Sequence, residues 1–143
     1  MIDLAAANHS GRELSLMLSG SKPLAMFYAE LSELPDEDFI PEEAFRAHVL
    51  AGRFVREEFI LEAGYAESLG RTALIKYVLF AQSSEAWRIP AMRLLKESFR
   101  KARCPWNDAL ERIEGTLLGY TDEEMTAWIS HQTLWKREGE SNG

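Results

Sequence analysis

Cysteine is almost absent from this chain, with Cys104 as the single one among 143 residues. One cysteine cannot form an internal disulfide, which fits a reducing environment, and we expect a cytoplasmic protein. No apolar run approaches the roughly 20 residues that a membrane-spanning helix needs. The segment Met1–Asn8 lacks the basic region and the long apolar core of a signal peptide. We therefore expect no membrane contact.

Motifs that announce catalysis or a cofactor are also missing. The sequence has no Gly-rich phosphate loop, no HExxH, no CxxC and no GxSxG. The three histidines, His9, His48 and His131, lie far apart, and none has a second histidine or cysteine at metal-ligand spacing. Cys104 precedes Pro105 at a predicted helix start, which favours a thiolate, but no partner histidine is recognisable. We expect no cofactor and no metal, and we favour a protein without catalysis.

Positive charge is in short supply, with 16 Lys and Arg against 23 Asp and Glu and a net charge of −7. This balance argues against a general nucleic-acid binder, because backbone binding depends on many uncompensated cations. The charges are segregated, however. Acidic residues are in excess over Asp36–Glu62 and Pro105–Gly143, and basic residues over Ala63–Cys104. The simplest interpretation is that the basic segment packs beside the acidic segments of the same chain.

The composition supports one folded domain. Hydrophobic residues make up 46% of the chain and aromatic residues 10%, which is enough to bury a core and excludes global disorder. We assign residues 1–135 to a single compact domain and residues 136–143 to a mobile polar tail. The compact chain, in which we find no linker or targeting signal, favours a bacterial source.

The segment Leu74–Ala81 is apolar on both alternating faces and rich in β-branched and aromatic residues. This pattern predicts a central strand that is covered on each side. A turn and a short return strand, Ala86–Ile89, are predicted to follow. The next helix is predicted over Pro90–Arg103, because proline is tolerated at the first helical position.

The remaining chain predicts four further helices and two further strands. Ser10 with Glu13, and Thr121 with Glu124, have the spacing of capping boxes. Together the segments predict an α+β fold, a three- to four-stranded and mainly antiparallel sheet with about five helices packed to one side. The predicted order is α-β-α-β-β-(β)-α-α-α. The other segments are strands Pro23–Glu30 and Arg53–Ala63 and helices beginning near Ser10, Pro41, Pro105 and Thr121.

The predicted helix Pro90–Arg103 is amphipathic. Its apolar face includes Leu94, and cations follow the opposite face at helical spacing. With Arg88, which lies just before the helix, these cations form a candidate patch for an anionic partner. The patch consists of Arg88, Arg93, Lys96, Arg100 and Arg103.

The most site-like group lies near the last two helices. A carboxylate, an aromatic side chain and an imidazole share one face of the last helix at i, i+4 and i+7, an arrangement suited to acid–base work or ligand binding. The alternative is that the tryptophan belongs to the core and the polar residues flank it. The group consists of Glu114, Tyr120, Glu124, Trp128 and His131.

The sequence leaves three hypotheses of function open. The first is a small non-catalytic accessory protein (inhibitor, immunity factor or adaptor) whose charged surfaces act on a macromolecule, most simply another protein. The second is a small enzyme or ligand-binding domain with a pocket between the sheet and the last two helices, which a cavity of several hundred Å³ would favour. The third is an RNA-binding module that uses the basic helix. Opposite charge blocks also permit a homo-oligomer.

Overall fold

The computed structural model describes residues 9–31, 40–66, 70–102 and 105–141. Cys104, Arg103 and the acidic loop Asp36–Asp38 lie outside the described residues. The strands are β1 (Leu24–Glu30), β2 (Phe54–Ala66) and β3 (Arg71–Gln82), and the helices are α1 (Glu13–Leu18), α2 (Glu42–Leu50), α3 (Arg88–Ala102), α4 (Asp108–Leu118) and α5 (Asp122–Ser141). The predicted α+β fold and its order are confirmed.

The three strands form one antiparallel sheet in the order β1-β3-β2. The predicted central strand is therefore correct. Tyr77 of β3 lies opposite Tyr28 of β1 and Phe59 of β2. The consecutive residues Tyr77–Ala81 are all buried, as expected of a strand that is covered on both faces.

Helices cover both faces of the sheet. On one face α1 and α2 pack against Val78 and Phe80, and the ring of Phe45 stacks on Phe80 at 4.2 Å. On the other face α3 and α4 pack against Tyr77 and Leu79. The prediction that the helices lie on one side was wrong, because a strand with two apolar faces needs two covering layers.

The predicted return strand Ala86–Ile89 is not formed. Ser83–Glu85 make a short 3₁₀ turn instead, and α3 begins at Arg88. Pro90 is thus the third residue of the helix rather than the first. Its missing N–H has no cost there, because the first four N–H groups of a helix lack an intrahelical acceptor.

The earlier start of α3 also changes which residues face the sheet. Ile89 and Met92 are fully buried, and the spacing i, i+3, i+7 continues to Lys96. Leu94, which the sequence placed on the inward face, is 64% exposed. The predicted inward face of α3 was therefore wrong by a fraction of a turn.

The two predicted capping boxes have different outcomes. Arg12, not Ser10, occupies the N-cap of α1 and makes no side-chain capping bond. At α5 the predicted box is present: the Glu124 backbone N–H donates to Thr121 Oγ1 at 3.1 Å, and the Thr121 N–H donates to Glu124 Oε1 at 2.8 Å. Helix α5 continues to Ser141, through residues that the sequence assigned to the tail.

Candidate functional site

A cavity of about 390 Å³, here called the α4–α5 cleft, lies between these two helices and the side of β1. Its walls combine carboxylates, aromatic rings and a few apolar side chains. Four of the five residues that the sequence grouped as a site line it, whereas His131 is exposed, with its ring centroid 6.2 Å from that of Trp128. The lining residues are Ser10, Tyr28, Glu111, Glu114, Gly115, Leu118, Tyr120, Glu124, Met125 and Trp128.

Two glycines bring the walls of the cleft together. Gly119 ends α4 with φ of +91°, in the left-handed region that favours glycine. A Cβ on Gly119 would lie 2.3 Å from Pro23 Cδ, so the corner between the helices packs directly against the entry to β1. Gly115 is equally close to α5, since a Cβ there would lie 2.6 Å from Met125 Sδ.

The carboxylates of the cleft already have partners in the protein. Glu114 pairs with Lys96 at 3.2 Å, and burial raises the pKa of Glu114 while Lys96 opposes the rise. Glu111 accepts a hydrogen bond from Trp106 Nε1. For Glu124, burial raises the pKa, but hydrogen bonds from Thr121 and His9 outweigh it and the net shift is downward. Glu124 is therefore a carboxylate at neutral pH.

A second cavity, of about 240 Å³ and here called the lysine cavity, adjoins the cleft and shares Ser10, Tyr28, Leu118 and Tyr120 with it. It contains two residues that sequence reasoning missed, His9 and Lys22. Both are buried, with 6% and 2% of their surface exposed. Apolar side chains of β1 and Ile40 form much of the remaining wall.

A chain of hydrogen bonds joins Glu124, His9 and Lys22. His9 Nε2 lies 3.0 Å from Glu124 Oε2, and His9 Nδ1 lies 3.0 Å from Lys22 Nζ. Lys22 Nζ also donates to the Leu118 carbonyl at 2.7 Å. The Tyr120 ring stacks on the His9 ring at 3.7 Å and 8°.

Burial determines the protonation states of His9 and Lys22 in this series of hydrogen bonds. Burial and the neighbouring Lys22 lower the pKa of His9. The imidazole is therefore neutral at pH 7, and its partners assign the tautomer: Nε2–H donates to Glu124 and Nδ1 accepts from Lys22. Burial also lowers the pKa of Lys22 to about 8, against the opposing charges of Glu13 and Glu124.

Sequence reasoning missed His9 and Lys22 because no local pattern marks them. His9 is 115 residues from Glu124 in the chain, and Lys22 stands in the short link between α1 and β1. Neither belongs to a motif or to a helix face. Only the fold brings them to the corner between α4 and α5.

The predicted anionic-partner patch does not form one free cationic surface among the described residues. Arg88 donates to the carbonyls of Thr116 and Leu117 at the end of α4. The Lys96 side chain is only 14% exposed, and Arg100 Nη2 donates to the Tyr77 hydroxyl at 3.2 Å. The prediction that these two cations face outward was wrong.

Arg93 is the cation of this group that stays largely exposed in the described part of α3. Its side chain is 55% exposed and pairs with Glu97 at 2.8 Å. The carboxylate of Glu97 offsets the charge of Arg93 locally. Arg93 therefore belongs to an exposed ion pair and does not form a cationic stripe with its neighbours.

Two further findings concern metal binding and membrane insertion. Within residues 9–31, 40–66, 70–102 and 105–141, no group of three or more His, Cys, Asp and Glu side chains could hold a metal ion. Over the same ranges no helix has both the length and the apolar character to cross a membrane.

Comparisons with protein-family models, curated proteins and solved structures each return no match for this chain.

Proposed function

We propose that this protein binds a small organic cation in the α4–α5 cleft. The observation that carries the proposal is the convergence of three carboxylates and three aromatic rings around one cavity of about 390 Å³. The carboxylates are those of Glu111, Glu114 and Glu124, and the rings are those of Tyr28, Tyr120 and Trp128. A cavity of this size with a few convergent polar groups is typical of a small-molecule site.

The charge of the lining favours a cation. Among the described residues, Glu114 has a lysine as its partner, while Glu111 and Glu124 are bonded to the N–H groups of Trp106, Thr121 and His9. Because His9 is neutral, the cleft keeps a negative balance. An anionic ligand would be repelled, and a cation would be attracted.

The aromatic wall favours an organic cation over a metal ion. Tyr28 and Trp128 are both exposed at the cleft, so their ring faces are available to a ligand. A ring face attracts an ammonium group by about 0.5–2 kcal/mol. Ca²⁺ and Mg²⁺ instead require a shell of oxygen ligands, which tyrosine and tryptophan rings do not supply.

The test is isothermal titration with a matched pair of ligands. Choline carries a quaternary ammonium group, and 3,3-dimethylbutan-1-ol has nearly the same shape without the charge. We expect choline to bind at least about tenfold more tightly, a difference of roughly 1.4 kcal/mol. Equal affinity for the two ligands, or no binding of either at millimolar concentration, would contradict the proposal.

Tryptophan variants locate the binding site. Trp128→Leu removes the ring from the cleft and should weaken choline binding several-fold, in line with the loss of one ring contact. Trp87→Leu is the matched control, because Trp87 is also exposed but lies before α3 and does not line the cleft. Equal weakening by both variants would place the ligand elsewhere.

The other two hypotheses from the sequence remain hypotheses beside this proposal. A macromolecular partner bound through the basic helix would have to compete with the contacts of Lys96 and Arg100 inside the protein. Binding of RNA that falls steeply with salt and is lost in Arg93→Glu would support that interpretation.

A further inference from the structure

The amine of Lys22 is held in an arrangement that suits its neutral form. In the described part of the chain Nζ has two acceptors, His9 Nδ1 at 3.0 Å and the Leu118 carbonyl oxygen at 2.7 Å. A neutral amine has two N–H bonds, so both remain satisfied when the ammonium loses its third proton. The lone pair then occupies the remaining tetrahedral position, and the lysine cavity is the space that borders this residue.

The neighbours of Lys22 supply a route for its proton. His9 accepts at Nδ1 and is oriented at Nε2 by Glu124. This is the logic of an activated nucleophile: a nucleophile bonded to a base that a third group orients. Here the three groups come from the segment before α1, the link before β1 and the first turn of α5.

We propose that Lys22 captures a small, uncharged aldehyde in the lysine cavity as an imine. The proposal does not depend on cation binding in the neighbouring cleft. It assigns a covalent binding site to an amine that neither the sequence motifs nor the proposed function uses.

The reaction balances without an oxidant or a reductant. The Nζ lone pair attacks the carbonyl carbon to form a C–N bond, and the C=O π electrons move to oxygen. His9 Nδ1 takes a proton from nitrogen and returns it to that oxygen, giving the carbinolamine. In the second step the nitrogen loses another proton to His9, the C–O bond breaks, and the hydroxyl leaves as water with the returned proton.

The walls of the lysine cavity specify the class of carbonyl compound. Met26, Phe27, Ile40 and Leu118 provide an apolar lining. Glu13 also lines the cavity, and its Oε1 is buried with no hydrogen-bond partner among the residues that the structure describes. That oxygen can accept the O–H of the carbinolamine, but it repels the carboxylate of a keto acid. An uncharged aldehyde of a few carbon atoms therefore fits best.

The charged and titratable groups around Lys22 set its reactivity. Glu13 of α1 and Glu124 of α5 favour the ammonium form, whereas burial disfavours it and prevails, so that the pKa of Lys22 is about 8. Tyr120 lies beside the amine, with Nζ 4.9 Å from its ring centroid. Arg12 acts on His9 and Tyr120 and opposes positive charge on the imidazole. The amine should thus become neutral in mildly alkaline solution.

The test uses the whole protein with butanal as the probe and sodium cyanoborohydride to reduce any imine to a stable amine. Peptide mapping by mass spectrometry then gives a labelling rate for each lysine. We expect Lys22 to be labelled at least about tenfold faster at pH 7.5 than the exposed Lys101 of α3, although Lys22 is buried. Its rate should rise through pH 8, where about half of the amine is neutral, and level off about one to two pH units higher.

Two further labelling experiments test the ligand class and the role of His9. Glyoxylate, an anionic aldehyde, should label Lys22 more slowly relative to Lys101 than butanal does, and equal selectivity would overturn the assigned class. His9→Gln should lower the plateau rate at Lys22 and leave the rate at Lys101 unchanged. If Lys22 is labelled no faster than Lys101 in the native protein, the residue has a structural role only and the proposal is wrong.

Discussion

His9 Nε2 and Glu124 Oε2 lie 3.0 Å apart, although 115 residues separate them in the chain. The other oxygen of the same carboxylate accepts the Thr121 N–H at the start of α5. One side chain therefore completes the cap of the last helix and holds the segment before α1 against it. The contact joins the two ends of the fold at the corner where the two cavities meet.

Replacing Glu124 by glutamine tests this double role. Both partners of the carboxylate are N–H donors, and glutamine has only one acceptor oxygen. Glu124→Gln therefore leaves one donor facing an NH₂ group and should lower the free energy of unfolding by about 1–3 kcal/mol. The measurement is urea denaturation near pH 7.

Glu123→Gln is the matched control for this change. Glu123 is exposed, next to Glu124 in the first turn of α5, and its replacement should change stability by less than about 0.5 kcal/mol. If the two variants unfolded at the same urea concentration, the bond between His9 and Glu124 would contribute nothing.

The buried amine of Lys22 predicts a pH dependence of stability. The pKa of Lys22 is about 8 in the folded protein, against an ordinary value of 10.5. Between these values the unfolded chain binds more protons, so the free energy of unfolding rises with pH. The rise should be about 2 kcal/mol between about pH 7.5 and pH 9.5.

Lys22→Met isolates this contribution. Methionine is of similar length and carries no proton, so the rise between about pH 7.5 and 9.5 should vanish whatever the absolute stability of the variant. The measurement is urea denaturation at several pH values in this window. A Lys22→Met protein that kept the slope of the parent would show that another group causes it.

Gly52 and Gly119 are two glycines with positive φ whose surroundings differ, and they give a steric prediction. Gly52 has φ of +77°, and no described residue lies within 4 Å of a Cβ built there. Gly52→Ala should therefore lower the free energy of unfolding only by the cost of the left-handed backbone, about 1–2 kcal/mol. Gly119 has φ of +91° and Pro23 Cδ at 2.3 Å from a Cβ.

Gly119→Ala should consequently cost more than Gly52→Ala by about 1–3 kcal/mol, because the added methyl group meets a rigid ring. Thermal unfolding of the two variants side by side is the measurement. Equal destabilisation would mean that the corner between α4 and α5 moves away from Pro23 without cost.

The sheet could be predicted because its evidence is local. The run over Leu74–Ala81 is apolar apart from Lys76, which leaves few alternatives to a strand covered on both faces, and β3 lies at the centre of the sheet. The positions of the helices were harder to predict from the sequence, since they depend on long-range packing. Pro90 illustrates this: proline is tolerated throughout the first helical turn, so it did not locate the start of α3 to the residue.

The candidate site likewise has residues that the sequence could predict and residues that it could not. Glu114, Glu124 and Trp128 come from adjacent helices, and Tyr120 lies in the three-residue corner that joins them, so their grouping could be inferred from spacing alone. His9 and Lys22 join them through contacts that span 96 to 115 residues. No period or motif encodes such a contact, because it arises only when the link before β1 packs beneath the end of α4.

The surroundings of α3 lead to a last prediction, on charge reversal. Lys96 lies partly buried between α3 and α4, paired with Glu114 and with Nζ 4.9 Å from the Trp106 ring centroid. Lys96→Glu sets two carboxylates against each other in a poorly hydrated site and should cost about 3–5 kcal/mol. Arg93→Glu reverses the same charge one turn earlier, at an exposed pair with Glu97, and should cost less than about 1 kcal/mol. Urea denaturation distinguishes the two: a similar, small loss for both would mean that Lys96 points into solvent and that the basic face of α3 is open to an anionic partner after all.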